Sequence, residues 1–444
     1  MPRPPVQVHV DALGPDGLAV GRDARGRRWV VRGAPLDADV LVGGRPKSGY
    51  LLGVSGSPAA DPRCAVFGRC GGCTLQHVPL ARQRAAKHQM LATLLAPLGG
   101  EDRGLVAAPG DGYGYRNKLE LTWGTRRWLT TAELEGGVPM EGRWLGMHAP
   151  GRFDRIVDTA RCELVCDATN AVIARVRADT LASDWAVWDP VARVGVLRHL
   201  VLREGEDGVV AAVYTSAGVE GLAEWLRARA PAWGARGVAW YENPRTSDAA
   251  VGTLREVLAG EAVITETLGP ARFRLSPTAF FQVNPAGARV LREVVAEAAG
   301  SSGALVDLYC GTGAIGLSLA DRFSPILGVD VNADAVADAR ENAQRNGIDA
   351  TFVAGEVEAV ARSLAWPPSP VVVVDPPRGG LHPAALAFLA GVDARALVYV
   401  ACRPTSLLRD GQALGEAGWR CAWWRAVDLF PHTGHVEVVA RFER

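Results

Sequence analysis

Residues 6–54 alternate apolar and polar positions through VQVHVDALG, LAVGRD, RRWVVRGA and DADVLVGG, with Gly, Asp and Pro at the breaks. A period of two with frequent turns predicts short antiparallel strands, and about fifty residues of it predict a small closed barrel of the OB kind. From Leu80 to Leu98 the apolar spacing becomes helical, with Arg82, Arg84 and Lys87 in the first half. Between about 113 and 265 the pattern is strand-rich and irregular. GYRNKLELTW and RHLVLRE read as strands there and Leu222–Arg229 as a helix.

Beyond residue 266 the pattern changes again. Short apolar runs, GALVDL, PILGVD, ATFVAG, PVVVVD and ALVYVA, alternate with helical stretches at 314–322, 333–346, 356–364, from about 383, and 405–416. Strands that are apolar throughout, separated by helices, specify a doubly wound parallel sheet with its ligand at the strand C-termini. Three regions are expected: an OB-like barrel over 1–58, a β-rich central region over 59–265, and an α/β domain over 266–444. The helix at 80–98 is free to pack on that last domain.

Length and composition are consistent with this division. The chain has 444 residues, 48% hydrophobic and 22% charged, enough for several cores at roughly 100 to 200 residues per domain. No run reaches the ~18 apolar residues of a membrane span, and MPRPPVQVHVDALG lacks a signal-peptide pattern, so a cytoplasmic protein without membrane contact is expected. Net charge is zero, yet residues 1–127 hold 18 Lys and Arg against 10 Asp and Glu. A basic front suits a polyanion such as RNA. Arg22, Arg25, Arg27, Arg28, Arg32, Arg45 and Lys47, with Trp29 and Tyr50 among them, fit a nucleic-acid-binding barrel; a solvated surface is the alternative. Basic residues at 116, 118, 126 and 127 have the same two readings.

Eight cysteines are too sparse for a disulfide scaffold, but Cys64, Cys70 and Cys73 fall within the single stretch CAVFGRCGGC. Glycines at 68, 71 and 72 let that loop bend and aim its sulfurs at one point. Three thiols need a fourth ligand to close a zinc site or an iron–sulfur cluster, and Cys162 and Cys166 are the candidates. Spacing alone does not name the metal, and a redox pair or unrelated buried thiols remain as readings.

The loop after GALVDL is YCGTG, and Gly311-Thr-Gly313-Ala-Ile-Gly316 satisfies GxGxxG, with Asp330 ending the next strand. A nicotinamide enzyme and an S-adenosylmethionine enzyme would both use such a loop. Asp375-Pro-Pro-Arg378 after VVVVD separates them, because D-P-P at the fourth strand resembles the class I methyltransferases.

Two further motifs, YVACRPTSLLRD (399–410) and DLFPHTGHVE (428–437), join SPTAFFQVN (276–284) and the cysteine loop. Together they resemble the RNA uracil-C5 methyltransferases, in the iron–sulfur branch that modifies ribosomal RNA, over essentially the whole chain. The resemblance implies an N-terminal TRAM barrel, a cluster-bearing central domain and a class I methyltransferase domain. It implies Cys402 as nucleophile and Glu437 as the base, with Gln282, Tyr309, Gly311, Gly313, Asp330, Glu356 and Asp375 at cofactor- or substrate-contacting positions. It implies a four-iron four-sulfur cluster on Cys64, Cys70, Cys73 and Cys162, the last through the pattern in DTARC, leaving Cys166 as a small buried side chain. Arg403 stands where the family usually has Asn. His432 and His435 flank the base and are expected to shape its loop.

The chemistry asks for these residue types independently. Uracil C5 is a poor nucleophile, so a thiolate adds at C6 to make C5 carbanion-like, and a base then removes the C5 proton. The expected activity is S-adenosylmethionine-dependent C5 methylation of uridine in ribosomal RNA, 23S first, by a monomer. The alternatives are a tRNA uracil-5 methyltransferase and a non-catalytic RNA-binding protein with a vestigial methyltransferase domain. A binding protein would need none of Cys402, Glu437 and Asp375.

Overall fold

The computed structural model describes residues 4–55 and 60–444. The ends of the expected barrel segment, residues 1–3 and 56–58, therefore lie outside the described residues. Five strands, β1 (Val6–Leu13), β2 (Ala19–Asp23), β3 (Arg28–Arg32), β4 (Ala38–Arg45) and β5 (Ser48–Ser55), close in the order β1-β2-β3-β5-β4. This is the expected OB-like barrel. Val8, Val10, Val31, Val40 and Val42 fill it from alternate positions. Trp29, expected among the RNA-facing side chains, is buried with them, and its indole N–H donates to Asp23 at 3.0 Å. Tyr50 is exposed.

The helix Leu80–Leu95 leads into β6 (Glu101–Ala107). The helix buries Gln83, Lys87, Met90, Leu91 and Leu95, a stripe at spacings of three and four that includes two polar residues. The central sheet contains β7 (Lys118–Arg126), β8 (Glu141–His148), β9 (Ile156–Asp158), β10 (Leu197–Gly205), β11 (Gly208–Thr215), β12 (Gly237–Glu242) and β13 (Thr253–Gly260), ordered β13-β12-β11-β10-β7-β8-β9. Helices Asp167–Ala182 and Leu222–Arg229 cover it, around a core that includes Leu121, Trp123, Leu145, Ile173 and Trp233. A hairpin, β14 (Ile264–Leu268) and β15 (Ala271–Leu275), follows.

The C-terminal sheet contains β16 (Leu305–Leu308), β17 (Ile326–Asp330), β18 (Ala350–Ala354), β19 (Val371–Val374), β20 (Ala396–Ala401), β21 (Arg420–Asp428) and β22 (Glu437–Glu443). Its order is β18-β17-β16-β19-β20-β22-β21-β6. The first five strands in that order pair in parallel and β22 antiparallel to both neighbours. The order of succession reverses at β16, from which the chain builds outward first through β17 and β18 and then through β19 and β20, so the ligand crevice opens at the carboxyl ends of β16, β17 and β19. All four valines of β19 are buried, and each such side chain contributes about 1.5–3 kcal/mol. The stretch 101–107, central in sequence order, is the eighth strand of this sheet, lying parallel to β21. Barrel, Leu80–Leu95 helix and one face of the sheet share a continuous core through Leu75, Leu91 and Leu95.

Candidate active site

Three carboxyl ends of parallel strands converge on the crevice. Asp307 in β16 is fully buried and accepts from the Gly316 amide at 2.8 Å; burial pushes its carboxyl up to about 7. Asp330, ending β17, accepts from the amides of Gly311 and Asn332, each at 2.8 Å. It thereby pins the glycine turn in which Gly311 and Gly313 adopt φ of 53° and 76°. Tyr309 also has positive φ, 64°, a conformation that costs a non-glycine residue about 1–3 kcal/mol and so marks a position fixed by its surroundings. Beside this turn a cleft of about 750 Å³ is lined by Tyr309, Val331, Glu356, Pro377, His382 and Leu386 among others. Of the expected cofactor residues, Tyr309 and Glu356 line it; Gln282, Gly311, Gly313, Asp330 and Asp375 do not.

A second centre sits where β19 and β20 end and β22 begins. Cys402 follows β20 and is half-buried; burial pushes its thiol up to about 11, with the charges of Glu437 and Asp375 adding and Arg378 opposing. Glu437, first residue of β22, is only 4% exposed, and burial pushes its carboxyl up to about 8, Asp375 again adding and Arg378 opposing. Asp375, after β19, is raised to about 7 by burial. One thiol, two carboxyls and one guanidinium thus share a site in which protons are held near neutral pH, as acid–base work requires.

The opening above Cys402 is a cleft of about 230 Å³, lined by Arg378, Cys402, Arg403 and His435 together with Pro15, Asp16 and Gly17 of the β1–β2 turn. The barrel therefore supplies one wall of the cleft above Cys402, which no motif in the barrel announces. Arg403 points its exposed side chain here and makes no side-chain cap on the helix Pro404–Glu416. His432 is buried and His435 lines the cleft.

The cysteines separate into two groups. Burial pushes Cys73 up to about 12 and Cys70 to about 11, and in both cases the nearby charges of Cys162 and Cys64 add to the effect. Cys162 is raised by burial too, with Cys64 contributing. Cys166 does something else: its sulfur accepts from the Thr169 amide at 3.4 Å and caps the helix Asp167–Ala182. Among the described residues no group of three or more His, Cys, Asp or Glu is arranged to hold a single metal ion. Cys64, Cys70, Cys73 and Cys162 nevertheless lie close enough for their charges to act on one another, which makes them a four-thiol donor set.

Sequence reasoning missed Gln83, Lys87, Tyr115 and Asn284, which hold the loop before Glu437 from three parts of the chain. The available signal was the placing of Gln83 and Lys87 on an otherwise apolar helical stripe.

Residues 300–370 match a family model described as a methyltransferase domain. The chain is 34% identical to an uncharacterized RNA methyltransferase of Chlorobaculum tepidum, over 86% of this chain and 83% of that one. It is 32% identical to another from Caldanaerobacter subterraneus subsp. tengcongensis, over 99% and 98% of the two chains. The chain belongs to the RNA methyltransferase family. As a methyltransferase it has the class I fold, and the crevice at the β16–β17 ends is where that fold keeps its cofactor. Among solved structures, this RNA methyltransferase is similar to the Pyrococcus abyssi tRNA (uracil-54, C5)-methyltransferase in complex with S-adenosyl-L-homocysteine. The TM-score is 0.77 and the identity 26%, with 100% of each chain covered. No helix among the described residues is long and apolar enough to cross a membrane.

Proposed function

We propose that this RNA methyltransferase moves a methyl group from S-adenosylmethionine to C5 of a uridine in RNA, through a covalent bond between Cys402 and uracil C6. The observation that supports it most is the convergence of one thiol, Cys402, with the carboxyls of Glu437 and Asp375 beside a cofactor crevice. S-Adenosylmethionine supplies a methyl group made electrophilic by its sulfonium. Asp330, Gly311 and Gly313 form the turn that would approach it, and Tyr309, Glu356 and Gln282 would flank it.

Cys402 gives up its thiol proton to solvent and attacks C6 as thiolate; the sulfur lone pair forms the C6–S bond while the C5–C6 π pair moves to C5 and the O4 enolate. C5 then takes the methyl group, which S-adenosylmethionine would release by keeping the S–CH3 electron pair as the neutral sulfide of S-adenosylhomocysteine. Glu437, ionised, removes the C5 proton; the pair re-forms the double bond and Cys402 leaves as thiolate. Asp375 would accept from the imide N–H of a base flipped out of its stack, or meet the cofactor edge. Arg378 offsets the accumulated negative charge. The cleft wall at Pro15–Gly17 favours a strand that enters unpaired.

Ribosomal RNA, 23S first, remains the leading substrate, with the barrel acting as a TRAM module. The similarity to a tRNA (uracil-54, C5)-methyltransferase over 100% of both chains favours tRNA as a second reading, since a tRNA enzyme of the same whole-chain architecture exists. Cys64, Cys70, Cys73 and Cys162 would hold a four-iron cluster that orders the central region. Nucleoside mass spectrometry of separated ribosomal RNA and tRNA from a deletion strain decides the substrate. Loss of 5-methyluridine from 23S RNA supports the first reading, loss from tRNA the second, and loss from neither contradicts both.

A further inference from the structure

The loop between β21 and β22 carries Glu437 at its far end, and its carbonyls are held one after another. The Leu429 oxygen accepts from Asn284 Nδ2 at 2.8 Å, the Phe430 oxygen from Lys87 Nζ at 3.0 Å, and the Pro431 oxygen from the Tyr115 hydroxyl at 3.3 Å. The His432 oxygen accepts from the amides of Thr74 and Leu75, at 2.9 and 3.0 Å. Four consecutive residues are thus gripped from four separate stretches of chain.

Two of those grips come from the cysteine site. Thr74 directly follows Cys73, and Tyr115 lies close enough to Cys73 and Cys162 for their charges to act on its hydroxyl. The segment beside Tyr115 is tied to the Cys162–Cys166 turn, Gly114 donating to the Glu163 oxygen at 3.0 Å and Arg116 to that of Leu164 at 2.7 Å. His432 has φ 64°, uncommon for a side chain of this size, so its conformation persists because its neighbours impose it. Gln83, fully buried, accepts from the His432 amide at 2.8 Å and donates to the oxygens of Leu75 and Val78 at 2.9 and 2.7 Å. One side-chain amide therefore bonds both the exit of the cysteine loop and the loop of the base.

We infer that the Leu429–His432 loop is a mechanical relay through which the order of the cysteine loop sets the position of Glu437, with Gln83 and Tyr115 as its positioning residues. The inference rests on the reading of Glu437 as the base and adds a role for the cysteine site beyond ordering the central region. Cys402, approached from β20, lies off this path, so addition to uracil should not depend on it. Proton removal should.

The test uses the full-length, cluster-loaded protein in two variants, Gln83→Leu and Tyr115→Phe, the second too conservative to unfold the chain. RNA with 5-fluorouridine reports addition and methyl transfer, because fluorine cannot leave as the proton does; ordinary uridine RNA reports release. Both variants should keep wild-type iron content and wild-type adduct yield on fluorouridine, while turnover falls roughly tenfold and methylated adduct accumulates on uridine RNA. Adduct yield and turnover falling in parallel, or neither changing, overturns the relay. Wild-type protein that forms no adduct overturns instead the uridine chemistry on which the relay rests. A measurement independent of activity completes the test: in Cys73→Ser protein, the amide of His432 should exchange hydrogen faster than in wild type, and unchanged protection in protein that has lost its iron contradicts the relay.

Discussion

Gly17 in the barrel turn and Gly434 in the loop before Glu437 meet backbone to backbone. A Cβ on Gly17 would lie 2.5 Å from the Gly434 oxygen, and one on Gly434 would collide with the Gly17 carbonyl. Gly17 also needs its φ of +75°, whereas Gly434 is glycine for space alone. Gly434→Ala should therefore push the barrel turn off the catalytic cleft without straining its own backbone. The expected result is a raised KM for RNA and a lowered melting temperature, with binding of S-adenosylmethionine unchanged. Wild-type KM in a variant of wild-type stability would show that the barrel wall does not meet the substrate.

The raised carboxyl of Glu437 predicts a pH profile. A base with its pKa near 8 is mostly protonated at pH 7 and becomes competent as pH rises. Release of methylated product should accelerate from pH 6.5 to 8.5 and level off above, and Glu437→Gln should flatten the profile while accumulating methylated adduct. Single-turnover quench experiments across that range read both. A release rate in wild type that falls with rising pH contradicts the assignment of the base.

Lys87 and Asp428 form a fully buried pair at 2.6 Å, with the part-exposed Arg84 at 3.1 Å from the same carboxylate. Removing one partner leaves the other charge buried, so Lys87→Met should cost about 3 kcal/mol, by the usual magnitude for a broken buried pair. Lys87→Met with Asp428→Leu should cost less than the single change, since Arg84 can turn to solvent. Denaturant midpoints compare the two; a double variant less stable than the single one would contradict the ion-pair account.

Much of the α/β half could be read from its runs of buried valine and leucine, because a parallel strand covered on both faces needs no alternation. GALVDL, VVVVD and ALVYVA became β16, β19 and β20 within two residues of expectation at either end. Strand β6 was not legible: EDRGLVA carries three charged residues and owes its strand state to pairing with β21, more than three hundred residues away in sequence. Trp29 was misplaced on the RNA face because composition says nothing of Asp23, whose carboxylate lets the indole N–H be buried. Lys87 was legible only as a basic residue of the helix, and its burial was not, its partner Asp428 being distant in the chain. The grouping of Cys64, Cys70 and Cys73 was visible in spacing, whereas the helix cap made by Cys166 was not.

That cap gives the cysteines a sharp prediction. Anaerobically purified protein should contain about four irons per chain. Cys162→Ser should lower iron sharply and weaken RNA binding. Cys166→Ser should keep most of the iron and the stability, because its sulfur serves the helix Asp167–Ala182 and a serine hydroxyl caps a helix as well, whereas Cys166→Ala should keep the iron and lower stability by about 1 kcal/mol, the usual worth of an N-cap. Iron analysis with thermal melting separates the two. Loss of iron in the Cys166 variants alone would exchange their roles, and stoichiometric zinc would replace the cluster assignment.

The proposed chemistry turns on whether Cys402 bonds to uracil. Incubation of the protein with S-adenosylmethionine and substrate RNA carrying 5-fluorouridine, followed by nuclease digestion and peptide mass spectrometry, measures this directly. The predicted result is a methylated fluorouridine on the peptide containing Cys402, absent from Cys402→Ala protein that still binds S-adenosylmethionine. An adduct on another residue, or none with an RNA that the wild-type protein demonstrably methylates, would contradict it.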